Sequence, residues 1–145
     1  MALAVFRDGA RILVEDKWDR PEPFYRPPGG GVKFGERAID AVRREMREEF
    51  DAEIRDVRPV GTLENIFDYH GRIGHEIVMV FEARFVDASH YAAERIDGME
   101  SVGTRIEAVW IDVSRRLDRP LYPEGLLELL GDSLDQAAGV GVDTG

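Results

Sequence analysis

Residues 27–52 read PPGGGVKFGERAIDAVRREMREEFDA, a run of prolines and glycines followed by a stretch with helical periodicity. Four large apolar residues in this stretch are spaced three, four and four positions apart: Ile39, Val42, Met46 and Phe50. Because an α-helix has 3.6 residues per turn, these side chains share one face. The pattern predicts a helix over residues 36–50 that packs this face against a core.

A second face of the predicted helix is acidic. Glu45, Glu48 and Glu49 stand at positions i, i+3 and i+4, so we expect their carboxylates to project together. Like charges at this spacing destabilise a helix unless something neutralises them. Hard divalent cations such as Mg²⁺ or Mn²⁺ bind carboxylate oxygens and keep waters or phosphate oxygens as further ligands. The three glutamates therefore indicate a candidate metal site.

The alternative for this face is a solvated acidic surface. Arg43, Arg44 and Arg47 are close enough in sequence to form salt bridges with the glutamates. Charge-rich exposed helices are common, so the three glutamates taken alone do not decide between the two interpretations.

The glycine run before the helix adds a second feature. Glycines let a backbone approach a ligand closely, and free N–H groups at a helix N-terminus bind phosphate. The alternative is an ordinary strand-to-helix turn. In either case we expect residues 27–31 to form a loop, because no regular element readily tolerates two prolines followed by three glycines.

The spacing across the whole stretch resembles the Nudix box, G-x5-E-x7-R-E-U-x-E-E-x-G-U, where U is a bulky aliphatic residue. Gly30, Glu36 and the block Arg44-Glu45-Met46-Arg47-Glu48-Glu49 match it position by position. Seven such matches at fixed spacing arise by chance on the order of once in a million chains of this length. Asp51 and Ala52 depart from the box, and we expect them to loosen the end of the helix.

The resemblance implies a fold of the α/β class, an α/β/α sandwich with a mixed β-sheet between helices. The order of predicted elements is consistent with this class. The expected organisation is one Nudix domain over residues 1–138 with a frayed tail at 139–145. Elements expected from residue patterns are two strands in 2–16 around Asp8–Gly9, strands at 24–26, 53–67 with a break at Pro59, 73–86 and 107–113, a loop at 87–104, and a helix at 123–134.

The resemblance also implies chemistry: metal-dependent cleavage of a diphosphate linkage in a nucleoside diphosphate–X substrate, by attack of a metal-activated water at phosphorus. Mg²⁺ or Mn²⁺ is the expected cofactor. By resemblance, Glu45, Glu48, Glu49 and the backbone at Gly30 hold the metal, and Glu48 or Glu49 acts as base. Arg44 is expected to orient Glu48, and Glu36 to orient the helix. The expected catalytic residues are Glu36, Arg44, Glu45, Glu48 and Glu49.

Substrate-binding residues are harder to identify from the sequence. An aromatic ring can stack on a base and an arginine can pair with phosphate, which makes Tyr69 and Arg26 candidates. Tyr69 and Arg72 alternatively belong to a plain polar hairpin tip. The predicted substrate-binding set is Arg26, Gly30, Gly31, Tyr69 and Arg72. Glu100 and Glu107 are possible extra bases, but isolated acids in loops are more typical of ordinary surface residues.

The composition of the chain limits the kinds of partner and site that it can have. The chain has 145 residues, a net charge of −10 and a pI near 4.8, so its overall field does not attract nucleic acid. It contains no cysteine, which excludes disulfides and thiolate metal sites. With no apolar segment long enough for a membrane span and no signal-peptide pattern, we expect a cytoplasmic protein. Family resemblance suggests a homodimer.

Two other functions remain open. The chain could be a nucleotide-binding or regulatory module on the Nudix fold without turnover, since a fold does not establish a function. It could also carry a purely structural acidic helix within another fold. The attached group X lies outside what the box defines.

Overall fold

A computed structural model gives the fold and describes residues 1–131. The elements are β1 (Ala2–Val5), β2 (Arg7–Asp8), β3 (Arg11–Lys17), β4 (Phe24–Arg26), β5 (Gly29–Gly30), α1 (Ala38–Phe50), β6 (Ile54–Tyr69), β7 (Arg72–Phe85), α2 (Ser89–Ala92), β8 (Arg95–Met99) and β9 (Arg105–Asp112). Residues 126–131 are also helical. No helix within residues 1–131 is long and apolar enough to cross a membrane.

The strands form two sheets. The first has the order β5-β1-β7-β6, and it is mixed because β1 runs parallel to β7 while the other pairs are antiparallel. The second has the order β2-β3-β9-β8, with β4 added alongside β3. Successive residues of β1 point to opposite faces of the first sheet. Ala2 and Ala4 pack in the core beneath α1, while Leu3 and Val5 pack in a second core with the helix at 126–131. The predicted α/β/α sandwich is confirmed.

Helix α1 begins at Ala38, two residues after the predicted start, and buries Ala41, Val42, Met46 and Phe50. The expected loosening of its end was wrong. Asp51 adopts the left-handed conformation, with φ 50° and ψ 39°, and its N–H donates to the carbonyl of Arg47. The Ala52 N–H donates to Met46 at 3.2 Å, so the helix closes as it would with glycine. Asp tolerates this conformation better than most residues do.

The structure also differs from the loop predicted at residues 27–31. Gly29 and Gly30 form a short strand rather than a loop, paired antiparallel with Leu3 and Ala2 of β1. A side chain at Gly29 is excluded, because a Cβ there would lie 2.1 Å from the Ala2 carbonyl oxygen. Tertiary pairing with β1 therefore overrides the poor strand propensity of glycine.

The prediction of a loop at residues 87–104 was also wrong, because this segment contains α2 and β8. Strand β8 pairs with β9, and only Ile96 of its side chains is buried, so its sequence carries no clear alternation. Strand β6 continues through Pro59, where shifts of register interrupt the pairing with β7 without ending the strand. The last described helix begins at residue 126 rather than 123. Predictions for residues 132–145, including the domain end at 138 and the tail, lie outside the described residues.

Candidate active site

Strand β5 and helix α1 approach each other at Gly30 and Glu45. A Cβ on Gly30 would lie 2.5 Å from the Glu45 side-chain carboxyl carbon, so only glycine leaves room for this carboxylate. Because β5 is hydrogen-bonded to β1, the sheet fixes the backbone that the carboxylate meets. The predicted proximity of Gly30 to the acidic helix face is therefore a property of the fold.

Arg44 donates hydrogen bonds to three carboxylates at the acidic face. Its Nε and Nη2 donate to the two oxygens of Glu36 at 2.8 and 2.9 Å, an ion pair in which both edges are matched. Its remaining donors reach three other acceptors: Glu45 at 3.0 Å, Glu48 at 3.1 Å and the Gly31 carbonyl at 3.0 Å. The hydrogen bonds from Arg44 lower the pKa of Glu36 to about 2. The same pairing raises the pKa of Arg44 above its usual value.

Glu49 lies on the inner side of the cluster. The pKa of Glu49 is raised to about 8, chiefly by burial and also by the nearby carboxylates of Glu15 and Glu45. Its Oε2 atom is buried and has no hydrogen-bond partner within residues 1–131. A buried carboxylate oxygen without a donor is costly unless a proton or a cation satisfies it. This atom and the crowded negative charge fit a divalent cation bound here.

Glu15 is a site residue that the sequence reading missed. It is only 1% exposed and receives an ion pair from Arg26 at 3.1 Å and another from Lys17 at 3.7 Å. The signal was present in β3, where alternate residues share a face. Glu15 and Lys17 continue the face on which Leu13 enters the core beneath α1. Charged residues on an inward face of a strand point to a buried polar site.

Contrary to the prediction, the carboxylates of the three helix glutamates do not converge on one position. Glu48 is half exposed and accepts a hydrogen bond from Arg44, whereas the Oε2 atom of Glu49 is buried. Among residues 1–131, no three His, Asp or Glu side chains are placed to hold a metal ion as they stand. The physical reason is that Arg44 Nη1 satisfies Glu45 and Glu48 together. Binding a cation with all three carboxylates requires Glu48 to leave Arg44.

A protein-family model and several solved structures match this chain. A model of the NUDIX domain matches residues 1–124. The chain belongs to the Nudix family. A search of curated proteins found no match.

Three solved structures are similar to this Nudix chain. A MutT NUDIX hydrolase from Burkholderia pseudomallei is 22% identical with a TM-score of 0.64, covering 88% of this chain and 92% of that one. The E. coli ORF135 protein is 20% identical with a TM-score of 0.57, covering 94% and 89%. A Bacillus subtilis pyrophosphohydrolase is 17% identical with a TM-score of 0.59, covering 94% and 80%. At these identities the likeness establishes a common fold.

The structure places the other predicted site residues unevenly. Arg26 lies beside Glu15, close enough for its charge to act on Glu49, and its Nε is buried without a partner in the described part of the chain. Tyr69 and Arg72 instead occupy the tip of the β6–β7 hairpin. Arg72 is about 23 Å along β7 from the residue level with Gly30. The hairpin tip is thus remote from the glutamates along the sheet.

The acids outside the Nudix box also differ in placement. Glu100 lies 3.8 Å from Lys17, whose ammonium group also pairs with Glu15, so it borders the site. Glu107 pairs with Arg95 at 3.3 Å, as expected for a surface acid. Trp110 has a structural role, because its indole N–H donates to the carbonyl of His90.

Proposed function

We propose that this Nudix chain is a metal-dependent hydrolase that cleaves the diphosphate linkage of a nucleoside diphosphate–X substrate by attack of water at phosphorus. The observation that carries the proposal is the buried Oε2 of Glu49, which has no donor among the described residues and lies in a cluster with Glu15 and Glu45. Hard oxygen donors crowded in this way are the ligand chemistry of Mg²⁺ and Mn²⁺.

Glu45, Glu48 and Glu49 would hold the cation, with the backbone at Gly30 completing the site. When bound, the cation neutralises the diphosphate and lowers the pKa of a bound water. The chain's own residues set the geometry. Arg44 fixes Glu45 through Nη1 and ties α1 to the Gly31 carbonyl, which keeps the glycine strand and the acidic face in one arrangement.

The proton removed from water is assigned to Glu48 or Glu49. Glu49 favours the role of base because its Oε2 atom is buried in the cluster and receives no hydrogen bond from the described residues. Glu48 favours it because the side chain is exposed and within reach of solvent. Replacement of each by glutamine, followed by a comparison of pH profiles at saturating metal, distinguishes the two.

Substrate contacts are proposed for Arg26, Gly30, Gly31, Tyr69 and Arg72. Arg26 has the best support, because its guanidinium lies at the glutamate cluster. The substrate is a small nucleotide-like diphosphate, since the net charge of −10 disfavours nucleic acid. A cytoplasmic location, a single domain over 1–138 and a homodimer remain part of the proposal.

The test is release of phosphate or pyrophosphate from a panel of nucleoside triphosphates, nucleotide sugars and dinucleoside polyphosphates. Each substrate is assayed with Mg²⁺, with Mn²⁺ and with EDTA. We expect turnover of at least one substrate that EDTA abolishes and Glu45→Gln reduces strongly. Turnover that persists in EDTA, or that Glu45→Gln leaves intact, contradicts the mechanism.

One observation favours the alternative of a non-catalytic nucleotide-binding module. Glu48 is held by Arg44, so the three helix carboxylates do not converge. On this alternative, calorimetry detects nucleotide binding while no member of the panel yields product with either metal. Metal-dependent product formation excludes it.

A further inference from the structure

A cleft lies beside the glutamate cluster, at the C-terminal end of β3. It lies between the residues that follow β3 and the segment that connects β8 to β9, and it encloses about 160 Å³. Its lining includes Lys17, Trp18, Arg20, Glu100, Thr104 and Arg105. Small-molecule sites usually measure roughly 300–1,000 Å³, so this cleft suits one flat ring system rather than a whole nucleotide.

Lys17 connects the cleft with the glutamates. Its side chain is 9% exposed, and its ammonium lies 3.7 Å from Glu15 and 3.8 Å from Glu100. Gly98 lies against the backbone of Glu49 at the end of α1, and Glu100, two residues later, lines the cleft. One end of the cleft therefore lies beside the glutamate cluster, with Lys17 between them.

Trp18 contributes a large aromatic ring to a cleft that is otherwise lined by Ile106 and by polar or charged residues. The residue is 61% exposed, although tryptophan is usually largely buried. The chain has one other tryptophan, Trp110, and packing occupies it: the ring stacks on Tyr91 at 5.4 Å and its N–H bonds to His90. Trp18 is the tryptophan left with an accessible ring. Base–aromatic stacking accepts any base, because every base has a π-face.

We propose that Trp18 stacks on the base of the nucleoside diphosphate–X substrate, and that Lys17 marks the passage from the cleft to the diphosphate. The proposal rests on the proposed function and adds to it the residue that selects a base-bearing substrate. A nucleobase, or another planar aromatic group joined to a diphosphate, is the class of ligand that the cleft takes.

Tryptophan emission reports binding without turnover. The probes are the α,β-methylene diphosphates of adenosine, guanosine, cytidine and uridine, whose bridging carbon prevents hydrolysis between the two phosphorus atoms. The base-free control is methylenediphosphonate, and all titrations contain Mg²⁺. We expect at least one nucleoside analogue to quench the emission of the wild type, and methylenediphosphonate to bind without quenching.

Substitutions then assign the effect to Trp18, with affinities measured by calorimetry. We expect Trp18→Leu to bind the nucleoside analogue about tenfold more weakly while its affinity for methylenediphosphonate is unchanged. Trp18→Phe keeps the affinity and loses the quenching signal. Val102→Ala, at an exposed apolar residue in the segment that connects β8 to β9, is the control. Thermal unfolding checks that each variant is folded.

The two levels of the proposal fail differently. If methylenediphosphonate binds but no base adds affinity, or if Trp18→Leu binds the analogue as tightly as the wild type, the role of Trp18 is overturned and the diphosphate site stands. If neither methylenediphosphonate nor any analogue binds with Mg²⁺, the proposed function is overturned as well.

Discussion

Glu36 and Arg44 form a two-point ion pair, with Nε 2.8 Å from one carboxylate oxygen and Nη2 2.9 Å from the other. The pair joins a residue two positions before the helix to the middle of the helix, eight positions later in the chain. Since the same guanidinium holds Glu45 and Glu48, the arrangement of the acidic face depends on it.

The first prediction concerns Arg44→Lys. Lysine keeps the charge but has no planar fork, so it cannot hold both oxygens of Glu36 and reach Glu45 as well. We expect Mg²⁺ affinity and kcat to fall by about 10- to 100-fold, as is typical when an outer partner of metal ligands is lost. Metal titration by calorimetry and initial rates measure the two effects. An affinity and a kcat within twofold of the wild type would show that the fork is not needed.

The second prediction concerns Gly30→Ala. The new methyl group would lie 2.5 Å from the Glu45 carboxyl carbon, so this side chain must move. Gly31→Ala is the comparison, because a Cβ there meets no atom within 4 Å. We expect Gly30→Ala to lose about tenfold or more in Mg²⁺ affinity, a loss clearly larger than that of Gly31→Ala. Equal affinities in the two variants would contradict the close contact between Gly30 and Glu45.

The third prediction concerns stability without metal. The pKa of Glu49 in the folded protein is about 8, above the usual glutamate value of 4.5, so the folded state favours the protonated form. The contribution of protonated Glu49 to the free energy of unfolding is complete below about pH 4.5 and is lost as the pH rises through about 8. We expect Glu49→Gln to be more stable than the wild type at pH 8–9 in EDTA, by on the order of 1–2 kcal/mol after allowing for partial exposure.

Urea denaturation at several pH values measures this difference, with Glu53→Gln as the matched control because Glu53 is exposed and paired only with Arg47 in the described structure. A Glu49→Gln curve parallel to the wild-type curve across this range would show that Glu49 ionises normally. Added Mg²⁺ should reverse the order of stability, since the cation binds the ionised carboxylate.

The fourth prediction concerns Glu15→Gln. The charge of Glu15 is one cause of the raised pKa of Glu49, second to burial. Removing that charge lowers the pKa of Glu49, so the acid limb of the rate profile should move to lower pH. The profile of kcat/KM between pH 5 and 10 measures the shift, with folding checked by circular dichroism. An unchanged midpoint would mean that Glu15 does not act on the titrating group.

The sequence predicted the chemistry of the acidic face better than its shape. The expected pairing of Arg44 with Glu48, one turn later on the helix, is present at 3.1 Å. The two-point pairing of Arg44 with Glu36 was not predicted, because Glu36 precedes α1 and its position depends on the turn at residues 34–35. Glu15 was missed because Arg26 and Glu49 approach it from other elements, although its place on the inward face of β3 beside Lys17 is visible in the sequence.

The fold was predictable where periodicity was strong and unpredictable where tertiary pairing decided. Helix α1 and the β6–β7 hairpin carry their own signals, helical spacing in one and alternating β-branched residues in the other. Strand β8 was not recognised because Gly98 and its polar neighbours resemble a loop. Gly98 is needed there, since a Cβ would lie 2.5 Å from the Glu49 carbonyl oxygen at the end of α1.

The most direct test of the central claim compares Glu49→Gln with the wild type at pH 8 and saturating Mg²⁺, using the best substrate from the panel. If Glu49 holds the metal or accepts the proton, kcat falls by about a hundredfold or more while Glu53→Gln retains the wild-type rate. If Glu49→Gln turns over the substrate at the wild-type rate, the buried carboxylate is not part of the reaction and the assignment of this site is wrong.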